Sequence, residues 1–186
     1  MSTGKHTRRG IIKALAAGTA IGALGACTVT KSGNVTTITL NVAKVKSYGT
    51  AGINAVSTVL SIAAVASAIG APAVAVIETA STALQAALAT FASTAGTSVT
   101  VSYDDTNVKS AVNSVLADLQ TVASNLEAAI TGASSKVSDA GLSTASTAVS
   151  ALKTVLSVFE GILGVVSLSE PQMTEAQALR VLRATP

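Results

Sequence analysis

Residues Val108–Leu126 read VKSAVNSVLADLQTVASNL. Val108, Val112, Val115, Leu119, Val122 and Leu126 recur in alternating steps of four and three. Lys109, Asp118, Gln120 and Asn125 fall off that stripe. Period-3.5 spacing of apolar residues with polar residues elsewhere predicts an amphipathic helix. The seam it draws belongs to helices packed nearly antiparallel on one another. The helix starts after Asp104-Asp105 and runs to about Ile130.

Working outward, the same rhythm recurs. In Pro72–Ser93 it falls on Val74, Ile77, Ser81, Leu84, Leu88 and Phe91. From about Lys136 to Leu168 it falls on Leu142, Ala145, Val149, Leu152, Leu156, Phe159, Leu163 and Val166. Ala51–Ile69 is almost wholly Ala, Ile, Val, Leu and Ser. Gly70-Ala71-Pro72 ends that helix and places Pro72 in the first turn of the next. Two stretches break the rhythm. Val35–Val45 (VTTITLNVAKV) and Thr97–Tyr103 (TSVTVSY) alternate with period two and are rich in β-branched residues, so each predicts a strand. An isolated pair of strands is marginal, so this ribbon must lean on the helices or on a partner. The tail SEPQMTEAQALRVLRATP predicts a short helix capped by Thr174, with Gln177 in the capping-box position. The expected fold is therefore mainly α: an antiparallel four-helix bundle over 35–168 with a small two-stranded β-ribbon, and a linker and short C-terminal helix over 169–186. Most of its core is small, because the chain holds only four aromatic residues, Tyr48, Phe91, Tyr103 and Phe159.

The N-terminus has a different composition. Lys5, Arg8, Arg9 and Lys13 precede an uncharged run, Ala14–Ala26, and then Cys27, the chain's one cysteine. The run is too short to span a bilayer, which takes roughly 20 apolar residues, and has the length and flanks of a signal-peptide core. Thr7-Arg8-Arg9-Gly10-Ile11-Ile12-Lys13 resembles the twin-arginine export motif, with Ile11 in the usual phenylalanine position. Leu24-Gly25-Ala26-Cys27 resembles the bacterial lipobox. That resemblance implies cleavage of 1–26, acylation of Cys27, a lipidated tether over 27–34 and a location in the bacterial cell envelope. Thr28 after the cysteine favours the outer membrane, facing the periplasm. A lone cysteine closes no internal disulfide, and stable anchoring needs more than one acyl chain, as a mature lipoprotein carries.

Removing 1–26 changes the charge argument. That segment holds four of the 12 Lys and Arg and none of the nine Asp and Glu. Residues 27–186 carry eight cations against nine anions, which leaves no basic patch for nucleic acid. The one histidine, His6, also lies in the signal. The remaining chain thus offers no Cys/His or Ser/His/Asp nucleophile system and none of the usual zinc sets. No cofactor and no enzyme activity is expected. Asp104-Asp105 is the one adjacent carboxylate pair, and it reads as a helix cap rather than a cation site.

Glu78 stands alone between uncharged runs 47–77 and 79–103. Three readings compete for the hairpin 51–93. In one it is buried in the bundle, and in another it is a surface for self-assembly. In the third it enters a membrane through residues such as Val59, Ile62 and Ile69, as in pore-forming or holin-like proteins, with Glu78 kept near the turn. The functional expectation is a lipid-anchored, non-enzymatic structural or interaction module, partnered by the membrane through acylated Cys27 and by a protein or a second copy of itself. The alternatives are a membrane-active protein and a carrier of an apolar small ligand or lipid.

Overall fold

The computed structural model describes residues 27–32, 35–164 and 173–185. The expected signal, including Arg8, Arg9, Lys13, Leu24, Gly25 and Ala26, lies outside them. The element order is β1 (Cys27–Ser32), β2 (Val35–Asn41), α1 (Val42–Ser61), α2 (Ala63–Ile69), α3 (Ala71–Ala95), β3 (Thr100–Ser102), α4 (Thr106–Ala133), α5 (Asp139–Ile162) and α6 (Glu175–Val181). The described chain is mainly helical, with a small antiparallel sheet ordered β1-β2-β3.

Several boundaries differ from the expectation. The stretch 27–34, expected as a tether, contributes β1, which pairs with β2 from Cys27 opposite Leu40 to Ser32 opposite Val35. Its Thr-Val-Thr core is β-branched, and only two residues of hairpin-forming type, Gly33 and Asn34, separate the strands in sequence. The ribbon is therefore three-stranded: β3 joins the other side of β2, with Leu40 opposite Val101. Strand β2 stops at Asn41, not Val45, because Asn41 caps α1: its side-chain oxygen accepts from Lys44 N–H at 3.1 Å. Val42 and Val45 then serve as buried residues of the first helical turn. The first expected helix instead begins at Val42 and breaks at Ile62, where α1 and α2 meet at 88°. Among the described residues there are thus six helices rather than five. The fourth long helix begins at Asp139, while Ala133, expected in a loop, closes α4.

The stripes fold as their spacing dictates. All six residues of the opening stripe are buried on α4. Ile77, Leu84 and Phe91 of α3, and Val149, Leu152 and Phe159 of α5, share the core with them. Asp105 caps α4, accepting from Asn107 N–H and Val108 N–H at 2.9 and 3.0 Å. Thr174 and Gln177 form the reciprocal capping box on α6.

Helix α1 is central and packs on α3, α4, α5 and α6. It comes close because two of its residues have no side chain. A Cβ on Gly49 would sit 2.4 Å from Leu88, and one on Gly52 within 2.6 Å of both Leu84 and Leu119. The leucines of α3 and α4 seat directly on the backbone of α1. Helix α6 closes with a Schellman motif. Ala184 N–H donates to Leu179 C=O and Arg183 N–H to Arg180 C=O, at 2.9 and 3.1 Å. The residue in the left-handed position, ordinarily glycine, is Arg183 at φ 51°.

Replacing Gly52 with valine overpacks two neighbouring helices at once. We expect it to cost about 1–3 kcal/mol, measured as a lower urea midpoint at unchanged slope.

Candidate functional site

The residues singled out from sequence do not converge. Cys27 opens β1 at one end of the body. Val59 is fully buried in the core. Ile62 and Ile69 are half-buried at the two ends of α2, and Glu78 is exposed on the outer side of α3.

What the fold does bring together is distant in sequence. Glu175, at the start of α6, is buried against α1. Its Oε1 accepts from Lys44 Nζ at 2.5 Å and from the Tyr48 hydroxyl at 3.0 Å. The Tyr48 ring rests on Phe159 of α5 with centroids 5.3 Å apart. This cluster docks α6 on α1 and α5. At the far end of α6, Asn54 Nδ2 donates to Leu182 C=O at 2.8 Å and to Arg183 C=O at 3.3 Å. Beyond that clamp, the space between α1 and α5 continues as an open trough of about 580 Å³. Its walls are hydroxyl-rich: Ser57, Thr58 and Ser61 from α1 face Ser143, Thr144 and Thr147 from α5. Arg183 is its one charged lining residue among the described residues.

A second groove of about 450 Å³ lies between α2, the start of α3 and the end of α4. Ile69, Val76, Ile77 and Ala129 line it, with Asn125 and Lys136 as its polar members. Val76 is 55% exposed there.

Three other charges have structural partners. The carboxylate of Glu160 accepts from Gln120 Nε2 at 2.8 Å between α5 and α4, and Lys153 pairs with Glu127 at 3.0 Å across the same two helices. Asp118 on α4 is partly desolvated, which raises its carboxyl above the ordinary value. Among the described residues, no group of three His, Cys, Asp or Glu side chains could hold a metal ion.

No family model matches the chain, and comparison with curated proteins and with solved structures finds no match. By length and composition, α3 and α5 are apolar enough to cross a membrane.

Sequence reasoning reached the caps at Asp105 and Thr174 but neither the Glu175 cluster nor the trough. Lys44 and Tyr48 lie 131 and 127 residues before Glu175, and no local pattern links them. The trough had a faint signal in the serines and threonines at 57, 58 and 61 and at 143, 144 and 147.

Glu175→Ala removes the shared acceptor of a part-buried ammonium and a buried hydroxyl, so it should cost about 2 kcal/mol. Hydrogen exchange should show α6 losing protection first. For Asp118, a folded-state carboxyl held above its unfolded value binds its proton more tightly in the folded chain. Stability therefore falls as pH rises from the ordinary carboxylate range through the raised one, and the penalty persists above it. Asp118→Asn should raise the thermal midpoint at about pH 7 and lose that advantage at about pH 3.

Proposed function

We propose that the protein is an exported, lipid-anchored module of a bacterial cell envelope, acting by binding rather than by catalysis. The observation that supports this best is where the hairpin spends its apolar residues. Val59, Ile77, Leu84 and Phe91 are each at most 1% exposed, packed into a core shared with α4 and α5. Placing that hairpin in a bilayer would take these side chains out of the core. Small residues suit the body proposed here, a bundle of α1, α3, α4 and α5. Packing contacts between closely spaced helices then stand in for large side chains.

The proposed anchor sits at the sheet end. Acylated Cys27 would begin β1 directly, so the sheet would rest near the lipid surface. The distal parts of α1 and α5 would point away from it. Helix α1 rises about 1.5 Å per residue, which puts Ser57 roughly 22 Å from Val42. The trough beside α6 would thus be held clear of the headgroups, open to a partner in the surrounding compartment.

A membrane-active role is a second reading, favoured by the length and composition of α3 and α5. A carrier role is favoured by the groove beside Lys136, whose apolar floor and single cation suit an acyl chain with an acidic head.

The test is the intact mass of the protein recovered from bacterial membranes, beside Cys27→Ser. We expect residues 27–186 plus acyl chains, with the added mass lost in the variant. A mass of all 186 residues would overturn the lipoprotein reading and move the membrane-active one to the front.

A further inference from the structure

We infer that the trough between α1, α5 and the end of α6 binds a saccharide bearing a single carboxylate. The inference goes beyond the envelope role and does not depend on acylation of Cys27.

Three observations converge on it. The first is the state of the hydroxyls. Thr58 donates to Asn54 C=O and Thr147 to Ser143 C=O, both at 2.8 Å. Ser61 donates to Thr58 C=O at 2.8 Å, and Thr144 to Ala140 C=O at 3.2 Å. Their protons are committed to the helices, so their oxygens meet the trough as acceptors. Ser57 and Ser143 make no hydroxyl hydrogen bond among the described residues and can turn either way. A wall of this kind calls for a ligand with many donors spread over a small body. A sugar ring has that chemistry.

The second is Arg183. Among the described residues it is the one charged residue lining the trough, and it has no ion pair. A lone guanidinium matches one carboxylate through two parallel hydrogen bonds. A polyphosphate would call for more positive charge. A nucleoside would call for an aromatic face, and among the described residues no aromatic side chain lines the trough.

The third is the backbone that carries Arg183. Its left-handed φ of 51° is a conformation glycine adopts without cost and arginine does not. Asn54 holds the carbonyls on both sides of that turn. The strain is local, and the surrounding bonds fix it in place. Strained backbone of this kind gathers at ligand sites, where it holds a side chain ready. The volume, about 580 Å³, accommodates a mono- or disaccharide. Without an aromatic platform, affinity should be on the order of millimolar.

The experiment titrates the full chain, in a sugar-free detergent, with glucuronate, glucose and acetate, followed by backbone amide NMR. Glucuronate should move the amides around Asn54, Ser57, Thr144 and Arg183, and bind about tenfold tighter than either glucose or acetate. Arg183→Gln should lose about that tenfold, and Arg183→Lys should recover only part of it. Arg183→Gly separates a site from a cap: it should raise the thermal midpoint by relieving the turn, yet lose glucuronate. Cys27→Ser should bind as the parent does, so a failed lipoprotein reading leaves this result untouched. Three results would overturn the inference: acetate binding as well as glucuronate, Arg183→Gly keeping its affinity, or no shifts at the trough at about 20 mM sugar.

Discussion

The close approach of helices to α1 is the constraint on which the rest of the structure depends. A chain with four aromatic residues has few large side chains to fill a core. It compensates by bringing backbones together. Leu84, Leu88 and Leu119 lie over Gly49 and Gly52 where a Cβ would intrude. With α3 and α4 seated there, α5 covers another side of α1, and the Tyr48–Phe159 contact aligns it. That in turn leaves a furrow between α1 and α5, which α6 partly fills. The trough is the part that α6 leaves open.

Much of the helical pattern was legible in the sequence, because burial here follows period 3.5 closely. Val108 to Leu126 is the clearest case, and the two caps at Asp105 and Thr174 rest on local chemistry that any helix end obeys. The β region was legible only in outline. Leu40, Val42 and Val45 fit a strand or a helix start equally well, and the side chain of Asn41 decides between them by capping α1. Strand β1 hid in a polar segment, because pairing depends on backbone partners and its Thr, Lys and Ser residues carry little apolar signal. The break at Ile62 had no Gly or Pro to announce it. Of the site, single side chains could be seen but not their meeting. Glu175 with Lys44 and Tyr48, and Arg183 with Asn54, are joined only by the docking of α6.

Two kinds of surface result. At one end the three-stranded sheet begins at Cys27, where the N-terminal motif would place an anchor. Toward the other end, hydroxyl groups and one strained arginine line an open trough. The outer side of α3 is different again. Thr79, Thr82, Thr90 and Thr94 turn their hydroxyls back to the helix carbonyls, so that side presents mostly methyl groups with Glu78 as its one charge. This explains why α3 passes for a membrane span by composition while Ile77, Leu84 and Phe91 face inward. Hydropathy counts the alanines and threonine neighbours on the outside together with the leucines and phenylalanine of the core.

Whether that outer side meets water or lipid decides between the folded module and the inserted hairpin. The direct measurement is the reaction of Ala86→Cys, an exposed position on α3, with a membrane-impermeant maleimide in ruptured native membranes. A body held outside the bilayer predicts labelling as fast in membranes as after solubilisation. Labelling that appears only once detergent is added would contradict it and place α3 in the lipid.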